Sequence, residues 1–363
     1  MKIKSIRVPN TDISIGEGVF VIAEAGKNFI QTKEEKSTEE YLKNAKELAR
    51  LAKEAGADAI KFQTHNVTDE QANISVVSPH FSGSDRYSWV KRNTESTPIE
   101  FWKELKAYCD SIGIIFFSTP MSRGAAEKLT EVGVNLWKVG SGDILDFVTL
   151  DYMAQSGKPI IISSGMSTLE EIDTMMKFLK KRNAQVILLH CVSKYPCPPE
   201  ELNLMTIPFL AKRYGIVVGF SDHSIGYDSA VAATNLGAKV IEKHFSLSRS
   251  LYGADHKVSM TADEFKTMVQ KIRKGEKIAL SQYGREEKFL HDDEAVFRPL
   301  FRKSLVWGGE AKKGTIVTSD MVYAMRPQAY LEGLPSEQYE MVIGKKLTRD
   351  TSRFEAVKKT DIE

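Results

Sequence analysis

The chain alternates short apolar segments with longer amphipathic ones from residue 19 to residue 244. Segments that are apolar almost throughout are typical of strands buried on both faces, as in a parallel sheet. We predict eight such strands, at 19–26, 59–64, 114–118, 136–139, 159–163, 186–191, 216–220 and 239–242. Eight strands alternating with helices predict an α/β fold of the (β/α)8 TIM barrel type, and a doubly wound open sheet is the alternative.

Polar side chains stand where these predicted strands end. Because the strands of a parallel barrel all end at one rim, where active sites of this fold lie, these side chains should meet there. This convergence favours the barrel over the open sheet. Taken singly, each could instead be a turn or capping residue. The residues are Glu24, Lys61, Gln63, Thr119, Lys138, Ser141, Asp143, Ser163, Ser164, Ser193, Tyr195, His223 and His244.

Two of these residues, Lys61 and Lys138, lie inside otherwise apolar strands, AIKFQ and LWKVG. A buried ammonium group costs several kcal/mol unless an anion accompanies it. We therefore predict that the two lysines form an anion-binding pair, and a structural ion pair is the alternative. The turns SSGMST and GSGD add hydroxyl and backbone N–H groups of the kind that hold a phosphate.

Two histidines end neighbouring predicted strands. His223 follows the strand 216–220, His244 follows the strand 239–242, and a predicted helix at 227–236 lies between them. In a parallel arrangement both imidazole groups reach the same face. Two adjacent imidazole groups predict a divalent metal site, and a pair of hydrogen-bonded structural histidines is the alternative.

Composition excludes several classes of partner. The net charge of +2 gives no reason to expect nucleic acid or an anionic membrane surface. The first ten residues lack the apolar core of a signal peptide, and no apolar run reaches membrane-spanning length. Cys109, Cys191 and Cys197 have no zinc-type spacing and are predicted to be reduced thiols. These features predict a cytoplasmic protein.

The chain should divide into two unequal parts. Residues 1–281 contain the predicted barrel and a following helix at 262–280. Residues 282–300 are charged and are predicted to be a linker. Residues 301–363 have short strand-like runs, among them 304–310 and 314–318, separated by turn signals. They predict a mainly-β module that is small enough to need docking on a larger body.

The motifs, taken together, resemble those of the sialic acid synthase family, the phosphoenolpyruvate-dependent synthases of nonulosonic acids. Nine stretches match in order: IAEAG, IKFQT, FFSTPMS, WKVGSGD, PIIISSGMS, LLHCVSKYP, GFSDHSIG, VIEKHF and GADHKVSM. The tail, with KKGTIVTSDM, MRP and IGKKL, resembles the antifreeze-like (SAF) domain of this family. The resemblance covers nearly the whole chain.

The resemblance implies an activity. The family condenses phosphoenolpyruvate with the open-chain form of an N-acyl amino sugar and releases phosphate. The default sugar is N-acetylmannosamine, which gives N-acetylneuraminate. A 2,4-diacetamido-6-deoxyhexose, which gives legionaminate or pseudaminate, and a sugar 6-phosphate are alternatives. A keto-deoxy acid synthase that uses another aldose, and a non-catalytic carbohydrate-binding protein on the same barrel, are further alternatives.

The resemblance also implies a cofactor, an assembly and site residues. It implies a divalent ion at His223 and His244, with Mn²⁺ expected and Mg²⁺ or Co²⁺ as alternatives, and a homodimer that exchanges its SAF domains. Glu24 is the candidate for proton transfer or for positioning a water molecule. The residues implied for phosphoenolpyruvate are Lys61, Thr119, Lys138, Ser141, Ser163 and Ser193. Those implied for the sugar are Gln63, Asp143, Tyr195, Asp255 and Arg326, the last from the partner's tail.

The chain departs from the family pattern at several positions. Lys27, Asn28 and Phe29 follow Gly26, where many members have valine or isoleucine and then Asn-His. Asp143 and Ser193 stand where many members have Glu and Asn. Residues Val67–Thr97, which include FSGSDRYSWVKRN, are predicted to form a long loop, and they match no family motif. We predict that this loop shapes the sugar pocket, and a solvated lid without a role in specificity is the alternative.

Overall fold

The computed structural model describes residues 3–75, 85–278, 284 and 286–363. Within these ranges the strands, labelled β1–β12 in chain order, are Ile6–Arg7, Ser14–Ile15, Phe20–Gly26, Ala59–Thr64, Ile115–Pro120, Trp137–Val139, Ile160–Ser163, Val186–Cys191, Val218–Asp222, Val240–His244, Ser304–Trp307 and Val322–Met325. The α-helices, labelled α1–α14, are Thr38–Glu54, Val67–Glu70, Arg86–Ser96, Ile99–Ser111, Arg123–Val132, Phe147–Gln155, Leu169–Lys180, Thr206–Tyr214, Asp228–Asn235, Ala254–Val258, Ala262–Lys274, Asp292–Ala295, Arg298–Phe301 and Gln328–Leu331.

Strands β3 to β10 form one parallel sheet with the order β5-β4-β3-β10-β9-β8-β7-β6. The two end strands, β5 and β6, approach within 8 Å at their Cα atoms, so the sheet curves into a closed ring. Helices follow the strands and cover the outside of the ring. The predicted TIM barrel is confirmed, and the open sheet is excluded.

An apolar layer fills the lower half of the barrel interior. It includes Phe20 and Ile22 of β3, Ala59 of β4, Ile161 of β7 and Val240 of β10. The short antiparallel pair β1–β2 contributes to the same cluster from below. Side chains of a strand alternate between its two faces, so the positions two residues further along each strand also point inward. The sequence periodicity thereby delivers polar side chains to the upper half of the same interior.

Several predicted boundaries shift in the structure. Strands β9 and β10 run to Asp222 and His244, beyond the predicted ends at 220 and 242, because the pairing of β10 with β3 continues to the last residue. The helix predicted at 262–280 ends at Lys274, where Gly275 takes a left-handed conformation that stops it. Residues 279 and 280 of that prediction lie outside the described residues.

The segment 67–97 is not an irregular loop. It contains α2 and α3, and α3 begins where the Asp85 side chain accepts a hydrogen bond from the Ser88 backbone N–H. Residues 76–84 lie outside the described residues, including the first part of the stretch FSGSDRYSWVKRN. The prediction of a loop was therefore wrong for the parts that form helices.

The tail contains a two-stranded antiparallel sheet, β11–β12, that packs against the chain's own barrel. Lys303 Nζ lies 2.6 Å from Asp146 Oδ2 beside the barrel, and Arg123 of α5 donates a 2.6 Å hydrogen bond to the Ser319 carbonyl. The strand predicted at 314–318 is wrong, because only an isolated bridge from Ile316 to Lys346 forms there. In the described part of the chain, no helix has both the length and the apolar character needed to cross a membrane.

Candidate active site at the mouth of the barrel

Four charged side chains form a buried network in the upper half of the barrel. Glu24 of β3 pairs with Lys61 of β4, with 2.6 Å between Oε2 and Nζ. Glu242 of β10 lies 3.7 Å from the ammonium groups of both Lys61 and Lys138. All four residues are at most 5% exposed, so water screens these charges little. Two cations and two carboxylates therefore alternate across the interior.

Burial and pairing shift the pKa values of this network. Burial raises the pKa of Glu24 to about 7, despite the neighbouring ammonium group of Lys61. Burial opposes the charge on Lys61, but the carboxylates of Glu24 and Glu242 outweigh it and hold the pKa of Lys61 above its ordinary value. Burial lowers the pKa of Lys138. Glu24 is thus poised to exchange a proton near neutral pH, which suits an acid or base.

Hydroxyl groups surround the two lysines. Lys61 donates to Thr119 Oγ1 at 3.2 Å, and Lys138 donates to Ser163 Oγ at 2.7 Å. Ser141 and Ser193 reach the same region from the turns after β6 and β8. A Cβ atom placed on Gly165 would lie 2.6 Å from Ser141 Oγ and 2.1 Å from Ser193 Oγ, so these turns meet with no space for a side chain between them. The structure brings together all six residues predicted to bind phosphoenolpyruvate.

The two predicted metal ligands are neighbours at the ends of β9 and β10. The ring centroids of His223 and His244 are 5.5 Å apart. His223 Nδ1 lies 2.8 Å from the Val192 carbonyl, which can only accept, so the lone pair of His223 is on Nε2. Burial lowers the pKa of His244 to about 4, and its Nδ1 is buried with no hydrogen-bond partner in the described structure.

Two adjacent imidazole groups fit a divalent cation. Burial opposes the charge on His223, but Cys191 and the Val192 carbonyl hold the pKa of His223 above its ordinary value. Within the described residues, no third His, Cys, Asp or Glu joins them in a ligating group. The protein donors would then leave most coordination positions to water and substrate, as a catalytic metal requires.

Residues predicted for the sugar fall in two places. Gln63 Nε2 donates to Glu24 Oε1 at 3.1 Å. A Cβ atom on Gly26 would lie within 3.6 Å of Glu24, Gln63 and Asp255, so these three side chains converge over that glycine. The ring of Tyr195, with a centroid 4.0 Å from that of His223, lies over the histidine pair. These residues surround the histidines and the carboxylate of Glu24.

The other two sugar candidates, Asp143 and Arg326, pair with each other where the tail meets the barrel. Arg326 is fully buried, and its Nε and Nη1 atoms have no hydrogen-bond partner in the described structure. The Arg326 backbone also pairs with Glu70 and Ala72 of the segment 67–97. In the single chain, therefore, Arg326 reaches the chain's own barrel.

The family departures at Lys27 and Phe29 have structural consequences. Phe29 packs its ring 5.3 Å from that of Phe101, in an aromatic cluster outside the barrel interior. Lys27 lies with its Nζ 3.0 Å from His65 Nε2 and 3.2 Å from the centroid of the Trp89 ring of α3. The residue that replaces valine or isoleucine thus joins the barrel to the segment 67–97.

Two carboxylates at this site were missed from the sequence. Glu242 lies in the apolar strand VIEKHF, so the criterion that selected Lys61 and Lys138 would also have found it. Glu294, in the predicted linker, is fully buried and accepts hydrogen bonds from the backbone N–H groups of Met166 and Ser193. Nothing in its local sequence distinguishes it from the other acidic residues of that segment.

Comparisons with known proteins place these motifs in context. Residues 48–283 match the NeuB family. Pseudaminic acid synthase of Campylobacter jejuni is 34% identical, and the match covers 97% of this chain and 98% of that protein. N-acetylneuraminate-9-phosphate synthase of Homo sapiens is 33% identical, over 90% of this chain and 88% of that protein. The solved structure of spore coat polysaccharide biosynthesis protein spsE from Bacillus subtilis has a TM-score of 0.77 at 30% identity, and covers 99% of both chains.

Proposed function

The chain belongs to the NeuB family, and from this premise we propose that it is a nonulosonic acid synthase. It condenses phosphoenolpyruvate with the open-chain aldehyde of an N-acyl amino sugar and releases phosphate. The observation that carries the proposal is the buried network at the barrel mouth. Lys61 and Lys138 are two cations in the barrel interior, and they are held beside hydroxyl groups and next to a histidine pair.

Phosphoenolpyruvate carries a carboxylate and a phosphate, so its site needs cations and hydrogen-bond donors. Lys61 and Lys138 supply the cations, and the hydroxyl groups of Thr119 and Ser163 already accept hydrogen bonds from them. Ser141 and Ser193 provide donors on the adjacent turns. When the substrate enters, its anionic groups take the place that Glu242 occupies as a counter-ion to both lysines.

The bond forms when C3 of the enol attacks the sugar aldehyde, which leaves positive charge at C2. Water adds at C2, and phosphate then leaves. Glu24, with its pKa raised to about 7 by burial, accepts the proton of that water molecule. The side-chain amide of Gln63 donates a hydrogen bond to Oε1 of Glu24. This contact keeps the Glu24 carboxylate over Gly26, beside Asp255.

A divalent cation would be held by His223 and His244, and when bound it would supply Lewis-acid polarisation of the aldehyde oxygen. We propose Mn²⁺, with Mg²⁺ or Co²⁺ as alternatives, because imidazole and water ligands suit several ions. Tyr195 covers the pair from the solvent side and limits access of water to it.

The sugar is proposed to be N-acetylmannosamine, which gives N-acetylneuraminate. A 2,4-diacetamido-6-deoxyhexose and a sugar 6-phosphate are the alternatives. The chain is 34% identical to a pseudaminic acid synthase and 33% identical to an N-acetylneuraminate-9-phosphate synthase, so sequence identity favours none of the three sugars. Gln63, Asp255 and Tyr195 face the aldehyde end of the sugar. Asp143 and Arg326 serve its acyl group.

The assembly proposed for the chain is a cytoplasmic homodimer. Its domains are the barrel at 1–281, a linker at 282–300 and an antifreeze-like (SAF) module at 301–363. In the dimer the SAF module crosses to the partner, so that the pair between Asp143 and Arg326, which forms within one chain here, forms between subunits.

A phosphate-release assay tests the activity. The protein is incubated with phosphoenolpyruvate, Mn²⁺ and one of a panel of sugars, namely N-acetylmannosamine, its 6-phosphate, 2,4-diacetamido-6-deoxyhexoses and simple aldose phosphates. We expect release with one N-acyl amino sugar and a product mass equal to the sum of both substrates and water minus phosphoric acid. Release with an aldose phosphate alone would indicate a keto-deoxy acid synthase. No release with any sugar would contradict the proposal and favour a carbohydrate-binding protein.

A further inference from the structure

Glu294 connects the predicted linker with the interior of the barrel mouth. It lies on α12, and it is 0% exposed. Its Oε1 atom accepts two hydrogen bonds, from the backbone N–H of Met166 at 2.9 Å and from that of Ser193 at 2.7 Å. Its Oε2 atom accepts from the His291 N–H at 3.3 Å. A carboxylate from far along the chain therefore joins two separate turns of the barrel.

These two turns carry the hydroxyl groups that the proposed function assigns to phosphoenolpyruvate. Ser163 ends β7 just before the Met166 turn, and Ser193 follows β8. Gly165, in the turn after β7, has no side chain, so the Ser193 hydroxyl can approach that turn closely. A Cβ atom added to Gly165 would lie only 2.1 Å from Ser193 Oγ. A small movement of either turn would alter the spacing between these two hydroxyl groups.

The end of the linker and the start of the tail approach the Met166 turn from its other side. Arg298 and Arg302 both pair with Glu171, in the first turn of α7. Arg302 also donates to the Met166 carbonyl at 3.5 Å. The turn is thus contacted at its N–H by Glu294 of the linker and, more weakly, at its carbonyl by Arg302 at the start of the tail.

We propose that Glu294 is a positioning residue for phosphoenolpyruvate. It acts through the two backbone N–H groups and sets the distance between the turns after β7 and β8, so that Ser163 and Ser193 are in place before the substrate binds. This inference rests on the proposed function. The opposite reading is that the two N–H groups are themselves the anion site and that Glu294 competes with the substrate for them.

Steady-state kinetics with three variants tests the inference. Glu294→Ala removes all three accepted hydrogen bonds. Glu294→Gln keeps one acceptor oxygen, and Asp292→Asn is the control on an exposed residue of the same helix. For Glu294→Ala we expect the KM for phosphoenolpyruvate to rise at least tenfold, with the KM for the sugar and the kcat within about threefold of wild type. Glu294→Gln should recover most of the affinity, because an amide oxygen can still accept from both N–H groups. The control should match wild type.

Other outcomes overturn the inference. A lower KM for phosphoenolpyruvate in Glu294→Ala would show that Glu294 competes with the substrate. Equal losses in both KM values and in kcat would show a general structural role, as would a Gln variant no better than the Ala variant. If Glu294→Ala does not fold, Glu294→Asp, whose carboxylate is shorter by one methylene, should raise the KM for phosphoenolpyruvate selectively, and unchanged kinetics would overturn the inference. Failure of the proposed function is separate, because wild type itself would then release no phosphate with any sugar.

Discussion

Glu24 and Lys61 form an ion pair inside the barrel, with 2.6 Å between Oε2 and Nζ. Both side chains are 3% exposed or less, so each depends on the other to compensate the loss of water, and Lys61 depends on Glu242 as well. The pair lies where a substrate anion would enter, so it contributes both to the stability of the fold and to substrate binding. Mutations at this pair can separate the two roles.

Lys61→Met should abolish phosphate release and lower the free energy of unfolding by roughly 3 kcal/mol, because it leaves buried carboxylates without a partner. The double variant Lys61→Met/Glu24→Gln should recover most of that stability, since it removes one of the carboxylates, yet remain inactive. Urea denaturation and the phosphate assay measure the two effects. If the double variant were active, Lys61 would not be a substrate ligand.

Chelation should stop the reaction reversibly. Treatment with EDTA should abolish phosphate release, and added Mn²⁺ should restore it in wild type but not in His223→Ala or His244→Ala. Mn²⁺ binding followed by electron paramagnetic resonance gives a readout independent of activity. His190→Gln is the control, because His190 is a buried histidine of β8 that contacts the Leu202 carbonyl and is not one of the proposed metal ligands. Full activity after complete metal removal would contradict the metal site.

The pH dependence of stability should reveal the buried state of Lys27. Burial lowers the pKa of Lys27 to about 7, against about 10.4 for an exposed lysine. Between these values the folded state binds fewer protons than the unfolded chain, so Lys27 makes the free energy of unfolding rise with pH. Burial also lowers the pKa of the adjacent His65 to about 4, so that group stays neutral in this range.

Lys27→Met should therefore gain less stability than wild type when the pH is raised from 7 to 9. Urea denaturation at both pH values measures the difference. Equal gains in the two proteins would mean that Lys27 has an ordinary pKa in the folded state.

The segment 67–97 should influence the sugar and not phosphoenolpyruvate. Trp89 of α3 contacts both Lys27 and His65 beside the site. Trp89→Ala should raise the KM for the sugar about tenfold, or change the preferred sugar, and leave the KM for phosphoenolpyruvate unchanged. Lys91→Ala, on the same helix and half-exposed, is the matched control. Unaltered sugar kinetics in Trp89→Ala would favour a solvated lid without a role in specificity.

Mixing two inactive variants tests the exchange of tails between subunits. His223→Ala disables the barrel site, and Arg326→Ala disables the tail contribution. If tails cross, random mixed dimers contain one intact site in half of the dimers, so activity should return to about a quarter of wild type. If each tail serves its own barrel, as in the single chain, mixing restores nothing. A mixture of His223→Ala with Lys61→Met, both in the barrel, is the control and should stay inactive.

The barrel and part of its site could be predicted because the signals are local. A charged residue in an apolar strand indicates an inward position, which gave Lys61 and Lys138 and would have given Glu242. The helices of the segment 67–97 were missed because nothing apolar repeats strongly within them. Glu294 could not be predicted, because its partners lie 128 and 101 residues away in the chain.

The path of the linker determines how short a fragment of this protein can be and still be active. A fragment cut after residue 281 would retain all eight strands of the ring and every side chain proposed to touch phosphoenolpyruvate, although it would lose Arg326, which is proposed for the acyl group of the sugar. It would lack Glu294 and Arg302, which contact the Met166 turn, and Arg298, which pairs with Glu171 at the start of α7. We expect such a fragment to fold and still take up phosphoenolpyruvate poorly. The part of the chain that suffices to fold the barrel would then end before the part that is needed for catalysis.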